Sequence, residues 1–160
     1  MLNLDDPRLR LNDLLTKYEG STVAQESASQ PAQAEQEAIV EAFNRIARDV
    51  IRPAMEEMGA ELERRGHEYE IRIAPGQEIT MHVYPPVLRR AAYTTSCCPY
   101  VSFLRDASTE RIHVAHSTLM PNGQGRAEIT DTLPLDQVTR HYVGTQICDV
   151  LARVLDTAKR

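Results

Sequence analysis

The stretch from Gln36 to Arg65, QEAIVEAFNRIARDVIRPAMEEMGAELERR, constrains this chain more than any other, because its helical periodicity runs on for thirty residues and is broken once, by Pro53. Ile39, Phe43, Ile46, Val50, Ala54, Met58 and Leu62 recur every three or four residues. They therefore share one face, which Val40, Ala47, Ile51 and Met55 widen. So broad an apolar stripe has to be buried against something, while Glu37, Glu41, Arg45, Arg48, Arg52, Glu56 and Glu63 make the other face a solvated one. Proline has no N–H, and its ring crowds the carbonyl four residues back, here Asp49. The spacing thus predicts either a kink at Pro53 or a new helix that holds Pro53 in its first turn. Gly66 is a stop signal.

Beyond Gly66 the period falls to two. Tyr69, Ile71 and Ile73 alternate with charged residues, Pro75-Gly76-Gln77-Glu78 turns the chain, and Ile79, Met81 and Val83 alternate with Thr80, His82 and Tyr84. Three more strands are expected: one ending at Arg105, one over residues 111–120 and one over 126–133, with turns at 106–110 and at the Pro121–Gly125 loop. Pro134 then opens a helix over 134–157 whose apolar face includes Leu135, Val138, Tyr142, Ile147, Val150, Leu151 and Val154. The expected fold is α+β: a five-stranded antiparallel, meander-like sheet packed by a long helix (36–65, kinked at Pro53) and a C-terminal helix (134–157).

In front of this domain, 35–160, the sequence changes character. Residues 20–34, GSTVAQESASQPAQA, are small and polar and read as a flexible linker, and residues 1–19 read as an amphipathic arm with Leu9, Leu11, Leu14 and Leu15 on one face. A tethered helix of that kind suits a partner-binding role, and Ile39, Phe43 and Ile46 before Pro53 are expected to extend the same surface toward a second subunit.

Charge narrows the partner class. The net charge of −5 is carried by residues 35–70, which hold ten acidic and five basic side chains. No basic run is longer than a pair such as Arg89-Arg90, so nucleic acid is not expected as a partner. No apolar run approaches membrane-spanning length, and the first ten residues lack the regions of a secretory signal. Three cysteines, two of them adjacent, do not make a disulfide framework, and these features together set the expectation of a cytoplasmic protein.

The candidate chemistry lies in residues 85–99, PPVLRRAAYTTSCCP, the longest stretch without periodicity. Arg89 and Arg90 could hold an anion, Tyr93 offers a hydroxyl and Cys97 or Cys98 a thiol. With His82 and His113 on the neighbouring strands, Arg89, Arg90, Tyr93 and Cys97 form the candidate ligand-binding set. The competing reading makes Tyr93 to Cys98 plain strand. No spacing fixes a base beside a nucleophile, so no catalytic residue is assigned. His113 and His116, three apart on a strand, point to opposite faces, and no C-x-x-C, H-E-x-x-H or H-x-H occurs, so neither a metal nor another cofactor is expected. Asp106 and Glu110 read as solubilising residues of a hairpin loop. The expected function is therefore a protein-interaction module, a homodimeric adaptor or chaperone-like binder of another polypeptide. A small-molecule-binding or enzymatic domain near 85–99 is the alternative.

Overall fold

A computed structural model describes residue 8 and residues 10–18 and 30–158. The chain divides into two compact units, residues 1–38 and 39–160. In the first unit, residues 10–18 form a helix, α1, in which Lys17 pairs with Asp13 at 3.1 Å. Leu9 and residues 20–29 of the expected linker lie outside the described residues, and residues 30–34 are helical.

The long helix arrives in three parts: α2 (Gln30–Ile46), a π-helical turn (Ala47–Ile51) and α3 (Arg52–Arg64). Pro53 sits in the first turn of α3. Just before it the hydrogen bonding widens, so that the Arg52 N–H reaches back five residues to the Ala47 carbonyl. A π turn gives the proline ring the room that an unbroken α-helix denies it. The second expectation for Pro53, a new helix that holds it in the first turn, is the one met.

The π turn also keeps the apolar stripe facing inward on both sides of the proline. Phe43, at 1% exposure, lies in the core with Ala47 and Ile51, as do Ala54 and Met55 beyond it. The expected division of labour at Pro53 therefore does not hold. Ile39 and Phe43 are buried in the domain, where each contributes roughly 1.5–3 kcal/mol, and neither is left to face a partner; Ile46 is half-buried.

The sheet comprises β1 (Glu68–Ala74), β2 (Glu78–Tyr84), β3 (Tyr100–Arg105), β4 (Arg111–Ser117) and β5 (Ala127–Pro134), antiparallel throughout and in sequence order. It is a meander. Ile79, Met81 and Val83 pair with or lie beside Val101 and Phe103, then Ile112 and Val114, giving the sheet one apolar side. The helices cover that side, α4 (Arg140–Ala158) through Val143, Ile147, Val150 and Val154. At Gly59 of α3 the Tyr69 ring of β1 occupies the place that a β-carbon would take, so a larger residue there would have to displace that ring.

The C-terminal helix starts later than the proline suggests. Pro134 is the last residue of β5, Leu135–Gln137 make a 3₁₀ turn, and α4 begins at Arg140. The N-cap is Thr139, whose hydroxyl accepts the Tyr142 N–H at 3.1 Å. Leu135 and Val138 are still buried, but from the turn. No helix among the described residues is long and apolar enough to cross a membrane.

Candidate functional site

The side of the sheet away from the helices holds the polar chemistry. Period two puts Thr80, His82 and Tyr84 there, yet all three are buried, as is Ser102. The segment 85–99 causes this at one end, because it folds back over β2. The Val83 N–H donates to the Pro99 carbonyl at 2.9 Å, so pairing continues one residue beyond β3, and the Tyr93 hydroxyl donates to the Pro85 carbonyl at 2.7 Å. Tyr93 to Cys98 is consequently a turn fastened over the sheet, with a single bridge between Thr94 and Cys97, and not a strand.

This fold-back sorts the candidate ligand set. His82 and Tyr93 come together, but the cysteine that joins them is Cys98, whose Sγ lies 3.2 Å from His82 Nδ1. Cys97 is partly exposed, and its N–H is taken by the Thr94 hydroxyl at 3.1 Å. Arg90 stacks its guanidinium 3.5 Å from the centre of the Tyr84 ring and pairs with Glu68 at 3.6 Å. Arg89 is exposed. Tyr84, which no sequence motif marks, is the hub: it donates to Glu70 at 3.1 Å and meets the Tyr93 ring at 5.7 Å. His113 belongs elsewhere.

Burial governs the chemistry of this cluster. It pushes the Cys98 thiol up to about 11, against the opposing pull of Arg90 and Arg72. It also lowers the proton affinity of His82, with Arg72 acting in the same direction. A protonated thiol beside a neutral imidazole is a hydrogen-bonded pair without a thiolate nucleophile. Next to it Thr80, Ser102 and Ala115 floor a hollow of about 220 Å³, with His82 and Tyr100 at one end and Glu78 and Leu104 at the other. Thr80 and Ser102 satisfy each other at 2.7 Å.

A second cluster lies on the same side, across β4 and β5. His113 Nε2 is 2.9 Å from Asp106 Oδ2, and His113 Nδ1 is 2.8 Å from Thr132 Oγ1. The other oxygen of Asp106 accepts the N–H groups of Ser108 and Thr109 at 2.9 and 3.1 Å and the Ser108 hydroxyl at 3.1 Å. Those bonds, the Ser108 N–H first and His113 after it, hold the Asp106 carboxyl far below the usual carboxylate range although desolvation opposes them. Asp106 is thus more than a loop solubiliser. Thr132 was not visible as a site residue because a β-bulge decides its place: Ala115 pairs with Ile129 and Val114 with Asp131, so Thr130 is passed over. Regular pairing would set Asp131 opposite His113. Instead Asp131 turns to the helix side, where it accepts the Tyr142 hydroxyl at 2.6 Å.

His116 points to the helix side, opposite His113. Its Nε2 is 2.8 Å from Gln146 Oε1, and its Nδ1 is buried with no hydrogen-bond partner among the described residues. Nowhere among the described residues do three His, Cys, Asp or Glu side chains come together as metal ligands would. No protein-family model, curated protein or solved structure matches the chain.

Two windows of acid instability follow. Burial disfavours the charged forms of His82 and His116, so the unfolded chain takes up their protons first. Their stabilising effect is complete above the ordinary histidine value of 6.5 and is lost as pH falls below it through their folded values. Asp106 and Glu70, with lowered carboxyls, contribute only above the ordinary carboxylate range and lose that contribution at lower pH still. Urea midpoints measured down from neutral pH are expected to fall in two steps, a histidine step that begins below the ordinary histidine value of 6.5 and a carboxylate step at lower pH. His116→Gln should shrink that first step; a first step of unchanged size would remove His116 from it.

Proposed function

We propose that the chain is a protein-interaction module of the adaptor or chaperone-like kind, which holds another polypeptide through the apolar face of α1. One observation carries this reading. Leu11, Leu14, Leu15 and Tyr18 fall at spacings of three and four on one face, and each is between 48% and 69% exposed. A helix of this length is marginal in water by itself, so docking its leucines in an apolar groove stabilises the helix and the complex together. Three free thiols suit a reducing compartment, and we place the module in the cytoplasm.

Replacing Leu11, Leu14 and Leu15 together by serine is expected to leave the melting of the 39–160 unit unchanged. Partner affinity should fall by more than about a hundredfold, at roughly 1–2 kcal/mol per leucine. A photo-crosslinking residue at position 12 reads this out in cells. A product of twice the chain's mass identifies the homodimer, a product of another mass a different polypeptide, and loss of either in the triple variant supports the reading. Absence of any product, or crosslinking that survives the triple substitution, rejects it.

The hollow over Thr80, Ser102 and Ala115 favours a second reading, a small-molecule site on the side of the sheet opposite α3 and α4.

A further inference from the structure

We propose that Thr132, His113 and Asp106 form a chemical site in which the Thr132 hydroxyl accepts a small acyl group from an activated ester. The role of each atom follows from its neighbours. Asp106 has both oxygens occupied as acceptors, one by the 108–109 loop and one by His113 Nε2. An ionised carboxylate accepts and cannot donate, so Nε2 carries the ring proton and Nδ1 presents its lone pair. The one group given to that lone pair is the Thr132 hydroxyl, at 2.8 Å, which therefore points its proton at the imidazole. A hydroxyl, an imidazole and a buttressing carboxylate in series are the parts of an acyl-transfer triad, here with the two ring nitrogens exchanged.

The site is open and has a place for a substrate beside it. The His113 and Asp106 side chains are 31% and 23% exposed, and Thr132 is half-buried. Leu104 is the cross-strand neighbour of His113, and Ala115 lies two residues along on the same side; both line the hollow floored by Thr80 and Ser102. The lining of the hollow stops short of His113 and Thr132, so an acyl chain seated there reaches Thr132 by extending past His113. Thr132 Oγ1 attacks the carbonyl carbon as its proton passes to His113 Nδ1, and Asp106 stabilises the resulting imidazolium through Nε2–H. The C–O bond to the leaving alcohol breaks, the alcohol departs with that proton, and an acyl-Thr132 ester remains. Water added through the same base returns the acid and the free hydroxyl.

p-Nitrophenyl acetate is the probe, read by p-nitrophenol release and by peptide mapping of the acetylated protein. The expected result is one acetyl group on the peptide that contains Thr132. Thr132→Val and His113→Gln should lower the rate of its formation by about a hundredfold or more. Asp106→Asn tests positioning. Its side-chain oxygen can keep the bonds to the 108–109 loop, which turns its amide N–H toward His113 and forces the proton onto Nδ1. The maximal rate should then collapse while the ester concentration at half-maximal rate stays unchanged, a split that mere loosening of the loop would not give. Acetylation confined to lysines and to the exposed Cys148 in the native protein overturns the proposal without recourse to any variant. Thr132 labelling that persists in a folded His113→Gln protein does so too.

Discussion

Phe43→Ala is expected to cost the domain about 3–5 kcal/mol, a large part of the roughly 5–15 kcal/mol available to a domain of this size. The ring is 1% exposed and sits among Ile51, Met55 and the apolar residues of the sheet, so its removal leaves a cavity that rigid strands cannot close. The measurement is a urea titration of dilute protein followed by far-UV circular dichroism. If the residues ahead of Pro53 served a partner surface, the isolated chain would lose less than about 0.5 kcal/mol. The midpoint would then scarcely move.

The three cysteines should label at widely separated rates. Cys98 is fully buried and its thiol is pushed from 9.0 up to about 11, a shift that reduces the thiolate fraction by about a hundredfold before access is counted. Iodoacetamide followed by peptide mapping should modify exposed Cys148 first, half-exposed Cys97 next, and Cys98 only once denaturant opens the 85–99 segment. Rapid native labelling of Cys98 would mean that the fold-back over β2 opens readily. It would also restore a thiol nucleophile to the reading of the His82 cluster.

The parts of this fold that were legible in the sequence are those set by local periodicity. The alternation in β1 and β2, the glycines of the turns and the stripe through Phe43 and Ile51 each follow from which face of one element must be apolar. Longer-range facts were not legible. Thr130 carries no mark of a bulge, yet it decides whether Thr132 or Asp131 stands opposite His113. The fold-back of 85–99 rests on backbone acceptors, the carbonyls of Pro85 and Pro99, which look alike in any sequence. That is why nothing in the sequence sets Cys98 above Cys97 or marks Tyr84 as the hub. Pro134 signals a helix start as readily as a strand end, and what decides between them is a hydroxyl five residues on, at Thr139.

A meander leaves both of its outermost strands with unpaired backbone groups, the usual route by which sheets of separate molecules join and grow into aggregates. Here each border is spoiled in its own way. On β5 the bulge at Thr130 breaks the regular spacing of donors and acceptors, and on β1 Glu68, Glu70 and Arg72 place charge along the strip that an incoming strand would approach. Any assembly of this chain with itself is therefore steered away from strand-to-strand extension, which has no natural stopping point, and toward side-chain surfaces, which stop at two copies when the contact is isologous.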